Sequence, residues 1–286
     1  LIERMQGVEC AITNKTVFDK EVFEKLPELK YIGVLATGYN VVDTEAARAH
    51  GVTVTNVPEY ATFATAQNTM ALLLELTNLV GLHTASVMDG EWCKCPQFCY
   101  FKAPLTELYG KTLHIIGLGK IGKRVALMAS AFGMTVTATP HDTSRIGTSV
   151  NLGETSVKCL AFEDGIKNAD VVSLHCPLTE DTREIINSNS LKLFKPGAFL
   201  INCARGPVVN ETAVREALDS ELLGGYGADV VCVEPMLENN PLLGAPHCVI
   251  TPHIAWTPVE TRIRLIDAAA ENLKAFINGE KKNVVN

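Results

Sequence analysis

The stretch from Lys111 to Pro140 constrains the fold of this chain more than any other part of it. A short apolar run, Thr112 to Ile116, leads into the turn Gly117-Leu-Gly-Lys-Ile-Gly122, which has the spacing G-x-G-x-x-G. Apolar residues then recur at helical intervals up to Gly133, and Met134 to Ala138 reads as a further strand. The sequence therefore predicts a strand, a tight turn, a helix and a second strand, in this order.

Each glycine of this turn has a separate role in binding a dinucleotide. Gly117 permits the tight turn, Gly119 lets the backbone approach a pyrophosphate, and Gly122 lets the helix pack on the strand. The helix N-terminus offers unpaired N–H groups and a partial positive charge to the phosphates. The spacing alone is common in glycine-rich turns, but a strand before it and a helix after it favour dinucleotide binding.

Length and composition limit the remaining possibilities. A chain of 286 residues can form two domains, each with its own core. The content of 47 % hydrophobic and 20 % charged residues is typical of globular proteins, and no apolar run approaches the roughly 20 residues of a membrane span. A net charge of −7 argues against nucleic-acid binding, which requires clustered Lys and Arg. We therefore expect neither a membrane nor a nucleic acid as a partner.

The nine cysteines are too few and too irregularly spaced for a secreted disulfide scaffold, which indicates a reducing cytoplasm. Cys93, Cys95 and Cys99 form the densest group. This group lacks a fourth ligand at a zinc-like spacing, so we expect free thiols and no metal.

Strands and helices alternate in the first sixty residues. Strands are predicted at Cys10 to Thr13, Tyr31 to Ala36 and Val52 to Thr55, and helices at Lys20 to Leu26 and Asp43 to His50. This alternation predicts a parallel sheet. Ligands of such sheets bind beyond the carboxyl ends of the strands, where the polar loop after the second strand lies, although that loop is also consistent with a plain turn.

The alternation continues beyond the glycine turn. With the two strands around that turn, four later runs make six predicted strands, the number in a complete doubly wound dinucleotide domain. These four runs are Asp170 to His175, Ala198 to Asn202, Gly225 to Asp229 and Val249 to Thr251. Further helices are predicted at Ala64 to Val80, at Glu211 to Leu218 after the N-cap Asn210, and at Pro258 to Asn278.

Three polar residues follow the carboxyl ends of successive predicted strands, namely Arg205, Glu234 and His253. Each one alone has an ordinary structural explanation, but together they suit proton-coupled hydride transfer. Reduction of a 2-keto acid requires a hydride, a proton for the carbonyl oxygen and a cation for the carboxylate; a nicotinamide, His253 and Arg205 would supply them. Glu234 beside His253 would favour the imidazolium.

Several stretches resemble one family, the D-isomer-specific 2-hydroxyacid dehydrogenases, and its glycerate dehydrogenase (hydroxypyruvate reductase) branch in particular. The resemblance covers nearly the whole chain. It rests on Ala36-Thr-Gly-Tyr-Asn40, the glycine turn, Ser173-Leu-His-Cys-Pro-Leu-Thr179, Phe194-Lys-Pro-Gly-Ala198, Asn202-Cys-Ala-Arg-Gly206, Val233-Glu-Pro235 and Thr251-Pro-His253.

The resemblance implies a role for each candidate residue. Arg205 anchors the substrate, Glu234 tunes the histidine and His253 is the acid/base, while backbone amides of the loop Ala36 to Gly38, around Thr37, hold the substrate carboxylate. The implied cofactor is NAD, with a homodimer formed through the cofactor domain. The implied cofactor contacts are Gly117, Gly119, Lys120, Ile121, Gly122, His141, Asp142, Cys176, Pro177, Thr182, Cys203, Ala204 and Asp229.

The resemblance also implies an α/β fold of two doubly wound parallel-sheet domains. Residues 103–256 form the Rossmann-type dinucleotide domain. Residues 1–102 and 257–286 form a discontinuous, flavodoxin-like substrate domain, which is expected to be N-terminally incomplete because the chain opens beyond the first strands of such a domain.

Two points stay open at the level of sequence. The segment Thr139-Pro-His-Asp142 lacks the carboxylate that normally binds the ribose at the second strand, so either Asp142 reaches back, or His141, Ser144 and Arg145 admit the 2′-phosphate of NADP. A nucleotide-sensing corepressor-like scaffold is the alternative function. Formate dehydrogenase is disfavoured because Glu234 stands where a glutamine is expected.

Overall fold

The computed structural model describes residues 1–286, which divide into two compact units, residues 1–61 with 256–286 and residues 62–255. The first unit contains β1 (Cys10–Thr13), α1 (Lys20–Lys25), β2 (Tyr31–Val34), α2 (Thr44–Ala49), β3 (Thr53–Thr55) and α10 (Val259–Ile277). The second unit contains α3 (Thr62–Asn78), α4 (Val80–Met88), α5 (Glu91–Lys94), β4 (Thr112–Ile116), α6 (Lys120–Ala131), β5 (Thr135–Thr139), β6 (Ser149–Leu152), β7 (Thr155–Cys159), α7 (Phe162–Asn168), β8 (Val171–Leu174), α8 (Ser188–Leu191), β9 (Ala198–Asn202), α9 (Glu211–Asp219), β10 (Leu223–Ala228) and β11 (Cys248–Ile250).

The first unit is a parallel three-stranded sheet with helices on both faces. The strands lie in the order β1-β2-β3, and every residue of the central strand β2 is buried. Because successive residues of a strand point to opposite faces, Ile32 and Val34 pack into the core with α1 and α2, whereas the ring of Tyr31 lies 4.8 Å from that of Phe276 in α10. The predicted alternation of strands and helices is confirmed here.

The second unit is built on a sheet of eight strands in the order β11-β10-β9-β8-β4-β5-β7-β6. All neighbours are parallel except β6, which pairs antiparallel with β7. The doubly wound architecture is confirmed, but the prediction of six strands was wrong because it missed β6 and β7. Only Val157 and Cys159 of β7 are buried, so the apolar signal is short. Gly153, with φ +70°, forms the turn between these two strands.

Helix α3 packs against the sheet of the second unit. A Cβ atom added to Gly227 would lie 3.1 Å from Cβ of Leu72, and one added to Gly225 would lie 3.0 Å from Cδ2 of Leu76. These contacts place α3 in the compact unit of the sheet, whereas the predicted boundary at residue 102 assigns it to the other domain. The functional boundary at residue 102 stays a prediction.

The predicted helix from Ala64 to Val80 corresponds to α3, which ends at Asn78, and α4 follows it directly. Leu79 has φ +50° and separates α3 from α4, and the two helix axes differ in direction by 59°. No single helix of the chain is long and apolar enough to cross a membrane, although this bent pair passes the same criterion when its two helices are taken together.

A buried histidine links the two central strands of the second unit. In β4, Nδ1 of His114 lies 2.9 Å from Oγ1 of Thr137 and its Nε2 lies 2.9 Å from Oγ1 of Thr139, both in β5. A Cβ atom added to Gly165 of α7 would lie 2.0 Å from the imidazole, so glycine leaves the room that the ring occupies. Burial lowers the pKa of His114 from 6.5 to about 4.

We predict that His114 makes the stability of the protein sensitive to acid. As the pH falls below 6.5, the unfolded histidine takes up a proton, while the folded one stays neutral until about pH 4. The free energy of unfolding therefore falls through this window, by about 2 kcal/mol between pH 7 and pH 5 from this residue. Denaturant unfolding at both pH values should show a smaller decrease for His114→Phe than for the wild-type protein.

Exposed His141 is the matched control, because replacing it with alanine should leave the decrease unchanged. An equal decrease in His114→Phe and the wild type would contradict the prediction, whatever the stability of the variant at pH 7.

Candidate active site

The glycine turn forms a close-packed cradle at the N-terminus of α6. A Cβ atom added to Gly117, which has φ +97°, would lie 2.7 Å from the backbone of His175 and Cys176. One added to Gly122 would lie 2.4 Å from the carbonyl oxygen of Gly117, whereas nothing lies within 4 Å of one added to Gly119. The helix begins at Lys120 without a side-chain cap, and the partial positive charge of a helix N-terminus favours an anion there. This cradle fits the pyrophosphate of a dinucleotide.

The segment after β8 borders this cradle. Nε2 of His175 lies 2.8 Å from Oγ of Ser173, while its buried Nδ1 has no partner within the protein. Burial lowers the pKa of His175 to about 4 and raises the pKa of the Cys176 thiol to about 11, so both side chains are neutral at pH 7. Thr182 donates a hydrogen bond to the carbonyl oxygen of Pro177 (2.6 Å), which closes the loop.

The segment after β5 holds an ordered carboxylate. Oδ1 of Asp142 accepts hydrogen bonds from Oγ (2.6 Å) and N (3.0 Å) of Ser144. These bonds lower the pKa of Asp142, which therefore stays ionised in an exposed position beside His141. An ionised carboxylate at this edge of the sheet fits the hydroxyl groups of a ribose.

The loop that carries Arg205 is shaped by the last residue of β9. Asn202 accepts a hydrogen bond from the amide of Ala204 (3.0 Å) and donates one to the carbonyl oxygen of Arg205 (3.0 Å). One guanidinium nitrogen, Nη1 of Arg205, bonds the carbonyl oxygen of Ala204 (2.7 Å), and the side chain is exposed. The remaining guanidinium N–H groups are available to a ligand.

The loop that carries His253 is shaped by the buried Asp229, which is 2 % exposed. Oδ1 accepts bonds from Oγ1 of Thr251 (2.6 Å) and the amide of Ile254 (2.9 Å), and Oδ2 accepts one from the amide of Ala255 (2.9 Å). His253 lies at the tip of this turn with φ +55°, a conformation that an L-residue adopts only when its surroundings hold it there.

Glu234 and His253, predicted to act together, are in contact. Oε2 of Glu234 lies 2.7 Å from Nδ1 of His253, and each side chain is 34 % exposed. Oε1 of Glu234 accepts a weaker bond from the amide of Val231 (3.3 Å). With Nδ1 as the donor to the carboxylate, Nε2 of His253 is the nitrogen that can exchange a proton with a ligand.

The Arg205 and Glu234 loops also touch. A Cβ atom added to Gly206 would lie 2.0 Å from the carbonyl group of Val231 and 2.4 Å from the amide nitrogen of Cys232. The two loops are therefore packed backbone to backbone, which fixes the distance between them.

One residue that positions the site was not identified from the sequence. Oε1 of Glu211, the first residue of α9, accepts a hydrogen bond from the amide of Cys232 (2.7 Å), and its Oε2 accepts one from Nδ2 of Asn240 (2.9 Å). Glu211 thus holds both sides of the loop that carries Glu234. In the sequence it looks like an ordinary acidic residue of a first helical turn, and the N-cap Asn210 before it is confirmed.

The predicted carboxylate-binding loop belongs to the first unit. Oγ1 of Thr37 donates to the carbonyl oxygen of Val57 (3.0 Å), and Nδ2 of Asn56 donates to the carbonyl oxygen of Thr37 (2.7 Å). The backbone amides of Thr37 and Gly38 donate no hydrogen bond within the protein. They are therefore available to an anion.

A dinucleotide cradle and a carboxylate-bound histidine, both at the carboxyl ends of parallel strands, define a nicotinamide-dependent oxidoreductase of the Rossmann class. Comparison with known proteins makes this more specific. The profile of "D-isomer specific 2-hydroxyacid dehydrogenase, NAD binding domain" matches residues 70–255. The hydroxypyruvate reductase of Blautia hydrogenotrophica is 41 % identical over 286 residues, which cover 100 % of this chain and 87 % of that protein.

Two other proteins are similar to this chain over its whole length. The glycerate dehydrogenase of Methylorubrum extorquens is 40 % identical over 290 residues, which cover 100 % of this chain and 88 % of the relative. The crystal structure of the TT0316 protein from Thermus thermophilus superposes with a TM-score of 0.89 at 38 % identity, covering 100 % of this chain and 88 % of that one. The chain therefore belongs to the D-isomer-specific 2-hydroxyacid dehydrogenases, as the sequence predicted, and it is an NAD-dependent oxidoreductase of 2-hydroxy acids.

We predict that Glu211→Gln lowers kcat for reduction of a 2-keto acid about tenfold. The NH2 group of the new glutamine must face either the amide of Cys232 or the NH2 group of Asn240. Because both of these groups are donors, one hydrogen bond is lost. The Kd for NADH should stay the same, since Glu211 acts on the Glu234 loop. Steady-state kinetics and NADH fluorescence titration measure both quantities.

Glu216, exposed on the same helix, provides the control Glu216→Gln, which should behave like the wild type. An unchanged kcat in Glu211→Gln, or a loss matched by an equal loss of NADH binding, would contradict the positioning role.

Proposed function

We propose that this chain reduces hydroxypyruvate or glyoxylate with NADH and catalyses the reverse oxidation of the D-2-hydroxy acid. The names of two full-length relatives, a hydroxypyruvate reductase and a glycerate dehydrogenase, support this choice of substrate. The observation that carries the chemistry is the 2.7 Å contact between His253 and Glu234, because it orients the ring and leaves Nε2 of the imidazole free to exchange a proton with the substrate.

Each residue then has a defined task in the reaction. The bound nicotinamide supplies or accepts the hydride. His253 gives a proton to the carbonyl oxygen during reduction and removes it during oxidation, while Glu234 holds the ring in the required tautomer. Arg205, which uses Nη1 on its own loop, binds the carboxylate and carbonyl oxygens of the substrate with its other N–H groups. The free amides of Thr37 and Gly38 serve as a carboxylate-binding loop.

We predict that His253→Ala lowers kcat by about 10²- to 10⁴-fold, the usual contribution of a general acid. We expect Arg205→Lys to lower kcat/KM about 10²-fold, because an ammonium group cannot form the two parallel bonds of a guanidinium. In both variants the Kd for NADH should remain close to that of the wild type. Turnover of hydroxypyruvate and a fluorescence titration with NADH test these expectations.

The matched control is His247→Asn, which changes another exposed histidine of the same unit and suits its positive φ of 50°. Wild-type turnover in either His253→Ala or Arg205→Lys would exclude the proposed assignment.

A substrate panel separates the proposed activity from its alternatives. Hydroxypyruvate, glyoxylate, pyruvate and a branched 2-keto acid, each with NADH and NADPH, define the preferred substrate and show whether Asp142 disfavours a 2′-phosphate. A corepressor-like scaffold should turn over none of them. No observation favours that scaffold, since the two relatives named above are enzymes.

We also propose a homodimer formed through residues 80–101 of the second unit, which lie outside the cofactor domain of residues 103–256 that the resemblance implied for the dimer. Large apolar side chains are exposed on α4 and in the segment that follows it, which is typical of an interaction surface. They are Val80, Leu82, Met88, Trp92, Phe98 and Phe101, between 47 % and 89 % exposed. The cytoplasmic location stays a prediction.

We predict that the wild-type protein is a dimer in multi-angle light scattering and that the double variant Phe98→Asp, Phe101→Asp is a monomer, because two charges must then be buried. Ile277→Asp on α10 is the control, since Ile277 is 72 % exposed in the other unit and should not affect the mass. A monomeric wild type, or a dimer that only Ile277→Asp disrupts, would contradict the proposal.

A further inference from the structure

Asn68 carries one of two buried side-chain polar atoms that have no hydrogen-bond partner. Its Nδ2 is shielded from solvent, and the side chain belongs to α3. Buried donors without an acceptor are rare in folded proteins, and such a donor commonly marks a place where a ligand or water completes the hydrogen bond.

The direction of α3 shows where this donor lies. Leu76 packs against Gly225 of β10, and Leu72 packs against Gly227, so the helix runs antiparallel to the strand. Asn68 precedes Leu72 by one helical turn, about 6 Å further along the axis. It therefore lies beyond Gly227, at the carboxyl ends of β9 and β10.

The neighbours of Asn68 at this edge do not satisfy it. The sulfur of Cys203 is within hydrogen-bond reach of the side chains of Asn68 and Thr69, but burial raises the pKa of Cys203 to about 12, so it is a neutral thiol and only a weak acceptor. The hydroxyl of Thr69 already donates to the carbonyl oxygen of Thr65 (2.9 Å). The carboxylate of Asp229 accepts three bonds from the loop that carries His253.

The sheet order indicates which part of a dinucleotide comes here. The pyrophosphate cradle lies at the end of β4, and Asp142, the candidate partner of the adenosine ribose, follows β5 on one side. The other half of the dinucleotide must extend over β8, β9 and β10. Because neighbouring strands are about 4.8 Å apart, β9 and β10 lie about 10 to 14 Å from β4, within reach of a nicotinamide.

We propose that Asn68 donates a hydrogen bond from Nδ2 to the carboxamide oxygen of the nicotinamide and thereby fixes the orientation of the ring. Neutral, buried and located at the carboxyl ends of β9 and β10, this donor matches an uncharged carbonyl acceptor. The inference depends on the proposed function only in that a nicotinamide dinucleotide is bound.

The test compares NADH with ADP-ribose, which keeps both phosphates and the adenosine but lacks the nicotinamide. Asn68→Leu replaces the carboxamide with an apolar side chain of similar volume. Its Kd for NADH, measured by isothermal titration calorimetry, should rise about tenfold, whereas its Kd for ADP-ribose should stay within about twofold of the wild type. Asn68→Ala is the second variant, for which we expect the same pattern without added bulk.

Asn78→Ala, at the exposed end of the same helix, is the control and should bind both ligands like the wild type. Equal weakening of NADH and ADP-ribose, or no change for either, would overturn the inference. The proposed function fails separately, if the wild type turns over no 2-keto acid. Selective loss of NADH affinity in Asn68→Leu would support the role of Asn68 even then.

Discussion

The candidate site depends on one buried charge. Asp229 stands directly after β10 and is 2 % exposed, and its carboxylate accepts three hydrogen bonds from the turn between Thr251 and Ala255. A buried carboxylate is tolerated only when donors surround it, so this turn closes around the charge. The same turn holds His253 in a left-handed conformation, at 2.7 Å from Glu234. Asp229 therefore positions the imidazole of His253 through this turn. The resemblance had assigned Asp229 to contact with the cofactor.

Much of this arrangement could be predicted from sequence because it follows from local patterns. Strand, glycine turn and helix are encoded within thirty consecutive residues, and polar residues after apolar runs locate the carboxyl edge of the sheet. Glu234 and His253 could be placed together because parallel strands end on the same edge. Their contact could be predicted because the loops after two neighbouring parallel strands lie side by side at that edge.

The rest depends on contacts between segments that no local pattern reveals. β7 buries only Val157 and Cys159, so its apolar signal is too short to distinguish it from a loop. Glu211 holds the amide of Cys232, 21 residues away, and its sequence context is that of an ordinary helix start. Asn68 is one polar residue in an apolar helix, and only the packing of Leu72 and Leu76 on glycines shows which end of the sheet it faces.

The pairing of His114 with Gly165 has a consequence for how this protein can change over generations. The imidazole occupies the space in which any side chain at 165 would have to begin. A larger residue can therefore be accepted at 165 only after 114 has lost its ring, whereas the reverse order passes through a sterically blocked intermediate. His114 and Gly165 are thus an epistatic pair: the order in which the two residues are substituted decides whether the intermediate protein can fold.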